Sequence, residues 1–100
     1  FTITNFTSQS NLKNLKNITI KELILACSGS ASFASLAGIE NFPNLVILTI
    51  TAAPGLKDVV SVLKATEHKI KTLKFQGCTA VNVVELQTYC QVNNIFLALS

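Results

Sequence analysis

Three cysteines and one histidine are the side chains best suited to metal binding or nucleophilic catalysis in this sequence: Cys27, Cys78, Cys90 and His68. Zinc sites usually contain two cysteines only a few residues apart, and no CxxC pair occurs here. An odd number of cysteines also argues against a disulfide framework and favours a reducing compartment. We therefore predict no metal site, and we favour an intracellular, cytoplasmic location over an extracellular one.

His68 has no obvious catalytic partner. It stands beside Glu67 in the stretch ATEHKIK, and the carboxylates of the chain fall in different segments at no spacing typical of acid–base pairs. General acid–base catalysis needs a second group within hydrogen-bonding reach. The stretch APGLKD has one glycine, whereas a phosphate-binding loop needs several. We expect His68 to be an exposed turn residue, and we predict no catalytic residue, no cofactor and no enzymatic activity.

The sequence predicts binding neither to nucleic acid nor to the membrane interior. All eight basic residues are lysines, and the net charge is only +3. Nucleic-acid recognition relies on arginine and on clustered basic patches, so we expect Lys69, Lys71 and Lys74 to form a solvated strand edge instead. No apolar run approaches the roughly 20 residues of a spanning helix, so no membrane insertion is predicted.

Because the sequence begins with Phe1 and not with methionine, we expect a fragment or a processed product.

One apolar pattern recurs along the chain every 22–25 residues. Each copy has an apolar residue, two others, a second apolar residue, one other and a third apolar residue. The copies are Ile20, Leu23 and Leu25; Leu45, Leu48 and Ile50; Ile70, Leu73 and Phe75; and, at a step of 22, Val92, Ile95 and Leu97, with Phe1 and Ile3 at the start. The alternating part predicts a short strand whose apolar residues face one side.

The segments between these strands are predicted to be turns followed by short helices. Small residues follow each strand, at Ser28, Ala53 and Cys78. Helical spacing occurs in 56–66 and 81–90, and more weakly in 11–15. Asn82, three residues before Glu85, is typical of a helix N-terminus. In 28–44 apolar residues recur every three positions, which suits a helix or a 3-10-like return.

A strand every 22–25 residues is too frequent for βαβ units, which need about 30 residues, but it suits a solenoid whose repeats stack on their neighbours. We predict one α/β domain over residues 1–100, with four to five repeats, parallel strands on the concave side and short helices on the convex side. The alternative is a compact α/β domain, even an enzyme, with 46–50 as a central strand. A solenoid would order its strands as they occur in the sequence.

The pattern resembles the leucine-rich repeat consensus LxxLxLxxC/N. The stretch IKTLKFQGCTAVNVVELQTYCQVNNI (70–95) looks like the cysteine-containing subfamily, because Cys78 follows a glycine after the strand and Cys90 falls late in the helix. This subfamily is found chiefly in F-box substrate receptors of ubiquitin ligases. ENFPNLVILTI (40–50) is more similar to generic leucine-rich repeats, including plant-type immune receptors. The resemblance implies a protein-binding scaffold.

The repeat assigns a place to each cysteine. Cys78 and Cys90 fall on inward positions, so we expect them to be small core residues. Cys27 lies one residue before the small-residue position of its repeat, and we therefore predict that it is the most reactive of the three thiols.

The strand residues between the inward columns should form the concave binding surface. Many of them are more apolar than a solvated sheet requires, and exposed apolar area tends to mark an interface. The candidate partner-binding residues are Glu22, Ile24, Val46, Ile47, Thr49, Lys71, Thr72, Lys74 and Phe96. In this alignment Phe96 occupies the same repeat position as Lys74.

The ends and the role leave alternatives open. Neither end shows a polar cap, so we expect both to be covered by further repeats or by neighbouring subunits. The partner is predicted to be a protein. A ubiquitin-ligase substrate receptor would need an F-box upstream. An extracellular recognition ectodomain would have glycans at the sequons of Asn5 or Asn17.

Overall fold

The computed structural model describes residues 2–3, 19–27, 35, 39–66 and 68–99. The predicted helical segment 11–15 lies outside these residues, as do Asn5, Asn17, Glu67 and most of 28–38.

Five strands form one sheet, and every neighbouring pair is parallel. Each strand is paired with the next one along the chain, so the order across the sheet is the order in the sequence. The strands are β1 (Thr2–Ile3), β2 (Glu22–Ala26), β3 (Ile47–Thr51), β4 (Thr72–Gln76) and β5 (Phe96–Leu99). The prediction of an α/β fold with a parallel sheet is confirmed.

The apolar pattern sets the register of the first four strands. Leu23 pairs with Leu48, and Leu48 pairs with Leu73. All three leucine side chains are fully buried, and so are Leu25 and Ile50 in the next row. Burying one such side chain stabilises the fold by roughly 1.5–3 kcal/mol, which explains why the apolar residues align across strands. The predicted inward columns are confirmed over β2, β3 and β4.

The register predicted for β5 is wrong by two residues. Leu73 pairs with Leu97 and Phe75 pairs with Leu99, so the step to the last strand is 24 residues and not 22. Val92, predicted as an inward residue, is 75% exposed. It is the last residue of a helix, and the chain then turns at Asn94, whose φ is +56°. The helix therefore occupies residues that the sequence pattern had assigned to the strand.

Two helices pack against the buried face of the sheet. Helix α1 (Val60–Ala65) buries Val60 and Leu63, and helix α2 (Val83–Val92) buries Leu86 and Cys90. The Asn82 side chain accepts a hydrogen bond from the backbone N–H of Glu85 at 3.1 Å. This bond satisfies a donor that the first turn of a helix otherwise leaves free, and it confirms the predicted start of α2.

The chain leaves β3 and β4 through left-handed backbone. Ala52 has a φ of +54° and Gly77 has a φ of +69°. The Ala52 N–H donates to the Gln76 carbonyl at 2.7 Å, which ties the two turns together. A Cβ added to Gly77 would lie 3.4 Å from the Cα of Ala52. Ahead of β3, a 3-10 helix at Ile39–Asn41 lies in the segment for which such a return was predicted.

Candidate binding surfaces

The sheet face opposite the helices carries the predicted partner-binding residues, and we call it the outer sheet face. Side chains alternate along β2 and β3, so that Leu23 and Leu48 are buried while Ile24 and Thr49 are only half-buried. Parallel pairing arranges the outward residues in rows across the strands. One row is Glu22, Ile47, Thr72 and Phe96, and the next is Ile24, Thr49, Lys74 and Ala98.

The outer sheet face is apolar and neutral in the middle and charged toward its sides. Ile24 and Ile47 are half-buried, as is Val46 just before β3. Phe96 on β5 is 64% exposed, and the exposed Lys74 lies on the adjacent β4. Because Phe96 pairs with Thr72, it does not share a row with Lys74, contrary to the sequence alignment. Strand and residue spacings place the Cα atoms of Phe96 and Lys74 about 8 Å apart on a diagonal.

Lys71 lies at the border of this face, just before β4 begins. It is exposed, and its charge is close enough to His68 to lower the pKa of the imidazole. Lys71 therefore lies at the edge of the sheet where the strands start, which we call the strand-start edge. The sequence placed it on the concave surface with Lys74, but the structure also brings it to the surroundings of His68.

His68 is not the exposed turn residue that the sequence suggested. It is half-buried, and its Nδ1 accepts a hydrogen bond from the Ile70 N–H at 3.2 Å. Since Nδ1 accepts, the proton of the neutral ring lies on Nε2, which donates to the Tyr89 hydroxyl at 2.9 Å. The Tyr89 hydroxyl in turn donates to the Leu63 carbonyl at 3.3 Å. This chain of hydrogen bonds links the end of α1 to α2 and needs a neutral imidazole.

Burial and a nearby charge keep His68 neutral. Burial lowers the pKa of the imidazole below its ordinary value of 6.5, and the positive charge of Lys71 lowers the pKa further. Burial also raises the pKa of the Tyr89 phenol above 10.0. Both groups are therefore hydrogen-bonded in their uncharged forms near neutral pH.

An open cavity of about 680 Å³ lies beside these two rings at the strand-start edge. Its lining residues come from the ends of both helices and from the segments that lead into β3 and β4. They are Pro43, Leu63, Lys64, Thr66, His68, Lys69, Tyr89 and Asn93. The Lys69 ammonium donates to the Asn44 side chain at 3.4 Å. The cavity thus combines two lysines with hydroxyl, imidazole and amide groups.

Two of the three cysteines differ from the prediction. Cys27, predicted to be the most reactive thiol, is fully buried, and burial raises its pKa to about 11, with a smaller effect from Cys78. Cys90 is buried as predicted, whereas Cys78 is half-buried. Burial also raises the pKa of the Cys78 thiol, so a low-pKa nucleophile is found at none of the three positions.

The described residues contain neither a metal-binding cluster nor a membrane-spanning helix. In 2–3, 19–27, 35, 39–66 and 68–99, no group of three His, Cys, Asp or Glu side chains is placed to hold a metal ion. Neither α1 nor α2 is long and apolar enough to cross a lipid bilayer, and this holds for the whole described part of the chain.

Comparison with known proteins gives no relative. No protein-family model, no curated protein and no solved structure matches the chain.

Proposed function

We propose that this chain is a non-enzymatic protein-binding scaffold, built as a leucine-rich repeat solenoid, which holds a protein partner on its outer sheet face. Parallel strands in sequence order, with leucines aligned from β2 to β4, are what stacked repeats require. The sequence spacing of the repeats supports the same architecture. A doubly wound α/β domain would instead change direction within its strand order.

The observation that carries the binding role is the apolar character of the outer sheet face. Both helices pack on the opposite side, where their buried residues join the common core. Ile24, Val46 and Ile47 keep partial exposure, and Phe96 is 64% exposed. Aromatic and aliphatic side chains at the centre of a surface patch are typical of residues that contribute most to binding. A protein segment lying across the strands would cover them.

The test begins with partners recovered by crosslinking to the wild-type chain and continues with purified components. Ile47→Asp and Phe96→Asp each place a charge in the same row of the face, and Val92→Asp is the matched control on the exposed side of α2. We expect each face variant to weaken binding by about tenfold or more, as loss of a central contact does. Calorimetry or surface plasmon resonance measures the dissociation constants. Unchanged affinity in both face variants, or an equal loss in Val92→Asp, would contradict the proposal.

A second binding surface is favoured by the open edge of β5. A groove beside this strand is lined by Ile95, Leu97, Leu99 and Cys90, together with Gln87 and Gln91 of α2. Leu99 is 39% exposed, although its pairing with Phe75 directs it toward the core side. A further repeat or a neighbouring subunit paired with β5 would bury these side chains, and unpaired strand edges favour such pairing.

Two narrower roles depend on features of a longer protein. A substrate-receptor role in a ubiquitin ligase requires an F-box, and an extracellular recognition role requires a signal peptide or occupied sequons. All three cysteines are free thiols, which favours our proposal of a reducing, intracellular compartment. The sequence of the full-length protein would distinguish these roles directly.

A further inference from the structure

We propose that the cavity at the strand-start edge binds a phosphate group, held by the ammonium groups of Lys64, Lys69 and Lys71 around His68. This site shares only Lys71 with the border of the outer sheet face, so the proposal does not rest on the scaffold function. Its basis is a cavity, three cations that the fold brings to one edge, and the Thr66 hydroxyl in the cavity wall.

The three lysines come together because one helix ends where one strand begins. Lys64 is in the last turn of α1, and Lys69 and Lys71 lie in the short segment that leads into β4. Lys64 and Lys69 line the cavity, and the charge of Lys71 acts on His68, which also lines it. All three lysines are exposed, and the Lys69 ammonium has one long hydrogen bond to Asn44 that a ligand would have to share or replace.

None of the described carboxylates lines this cavity. Asp58 accepts hydrogen bonds from Ser35 and Ser61 just before α1, at the opposite edge. Glu85 lines a neighbouring cavity together with Lys64 and Tyr89, so it is the described carboxylate that competes for Lys64. Glu67 lies outside the described residues and is treated as a variable in the experiment below.

Helix ends offer a competing explanation for the lysines. Cations near a helix C-terminus are favoured by the helix dipole without any ligand. The end of α2, however, is already satisfied, because the Tyr89 carbonyl accepts bonds from the backbone N–H and the side-chain amide of Asn93. The Leu63 carbonyl at the end of α1 accepts the Tyr89 hydroxyl. These contacts reduce the need for cations at the helix ends.

The donor set favours phosphate over a carboxylate. A lysine ammonium acts as a point charge and is a common phosphate ligand, whereas planar bidentate recognition of carboxylates depends on arginine. Three separate ammonium groups match the three terminal oxygens of a phosphate monoester, which carries nearly two negative charges above about pH 7. Thr66 adds a hydroxyl group to the same wall, whereas the Tyr89 hydroxyl is already bonded to the Leu63 carbonyl. The cavity volume of about 680 Å³ leaves room for the group that bears the phosphate.

His68 reports on this site without any added label. It is the only histidine in the sequence, so its ring gives one set of imidazole NMR signals. A dianion next to the ring should raise the pKa of His68 by about one unit, because a nearby opposite charge stabilises the imidazolium. Inorganic phosphate is titrated at about pH 7.5, where a phosphate group is largely dianionic, with chloride used to hold the ionic strength constant.

We expect a saturable shift of the His68 signals with phosphate and an upward shift of its titration midpoint. Lys64→Gln, Lys69→Gln and Lys71→Gln should each weaken phosphate binding by about fivefold, the effect of one partly exposed ion contact. Lys57→Gln is the matched control, because Lys57 is an exposed lysine just before Asp58 at the opposite edge and should leave binding unchanged. Glu67→Gln should leave binding unchanged or strengthen it.

A glycerol phosphate and a phosphoserine peptide, each tested beside inorganic phosphate, distinguish the sources of the group. Tighter binding of the phosphopeptide than of its unphosphorylated form and of inorganic phosphate assigns the site to a modified protein. Equal binding of all phosphates assigns it to a free phosphate or a small ester. The proposal is overturned by shifts that stay linear and match those in chloride, which leaves the lysines as helix-end cations only. It is also overturned by phosphate binding that survives all three lysine substitutions.

Discussion

The buried leucines carry the structure at the scale of single residues. Leu48 is fully buried at the centre of a row, between Leu23 and Leu73. Leu48→Ala should lower the free energy of unfolding by about 2–5 kcal/mol, because loss of the side chain would leave a cavity between Leu23 and Leu73. Val92→Ala, at a position that is 75% exposed, is the control and should change stability by less than about 0.5 kcal/mol. Urea unfolding measures both, and equal effects would show that the row assignment is wrong.

His68 makes stability depend on pH in the acidic range. Its pKa is lowered in the folded state, so below about 6.5 the unfolded chain binds more protons than the folded one, and stability falls as the pH falls toward the folded pKa. Protonation of Nδ1 also removes the acceptor of the Ile70 N–H. His68→Gln should flatten this part of the stability–pH curve, whereas Lys57→Gln should not. An identical acid slope in wild type and His68→Gln would exclude His68 as its cause.

His68 and Cys27 show which residue properties could not be predicted from the sequence. The partner of His68 is Tyr89, 21 residues away, and the packing of α2 beside the end of α1 brings the two rings together. The repeat pattern placed Cys27 one position before a small residue, and it did not show that the Cys27 side chain is buried. Inward strand residues such as Leu48, by contrast, follow from spacing alone.

The turns after β3 and β4 need left-handed backbone, which few residue types adopt at low cost. Gly77 has a φ of +69° and approaches Ala52, which has a left-handed φ itself. Gly77→Ala should destabilise the domain by about 1–2 kcal/mol, the cost of left-handed backbone for a residue with a Cβ. Ala52→Gly is the comparison, and should change stability less, because relief of strain is offset by the greater entropy of the unfolded chain.

Thermal unfolding of these two variants decides whether the turns store strain. A Gly77→Ala variant as stable as the wild type would mean that the turn after β4 does not need glycine. In that case the tight contact with Ala52 must relax without loss of packing.

The last strand shows the limit of prediction for elements. The pattern apolar-x-x-apolar-x-apolar fits both 92–97 and, with one residue removed, 95–99. In the structure the strand follows the second alignment, 95–99, because α2 continues to Val92 and the chain turns at Asn94. The helical spacing of 81–90 predicted this helix with Leu86 and Cys90 buried, but it did not show that the helix continues two residues further, to Val92. For β2 to β4 the three copies of the pattern left no second alignment of equal quality.

At the scale of the whole molecule, neighbouring strands and helices produce surfaces that no single segment of the chain contains. The row from Glu22 to Phe96 crosses four strands. The repeat pattern predicted its first three residues, but it placed Phe96 in the row of Lys74 and not in this one. The cavity at the strand-start edge could not be predicted. Its residues come from four separate segments, at Pro43, 63–69, Tyr89 and Asn93, and none of these segments has a recognisable motif.

The open edge of β5 leads to a prediction about association. Leu99 is 39% exposed beside the buried Ile95, and the neighbouring Leu97 is half-buried. Burial of each such side chain contributes up to roughly 1.5–3 kcal/mol, and the unpaired N–H and C=O groups of an edge strand accept another strand. The 100-residue chain should therefore self-associate as its concentration rises, and head-to-tail pairing would extend into a filament when the rotation between copies does not close into a ring.

Sedimentation velocity over a range of concentrations measures this association. Leu99→Lys places a charge in the apolar edge and should weaken association by about tenfold or more, since an unpaired charge buried at an interface is costly. Val92→Lys adds the same charge on the side of α2 that borders Lys64 and Tyr89, and should leave association unchanged. Hydrogen exchange at β5 should slow with concentration in the wild type. A monomer at every concentration, with β5 already strongly protected, would show that the edge is stable in water without a partner.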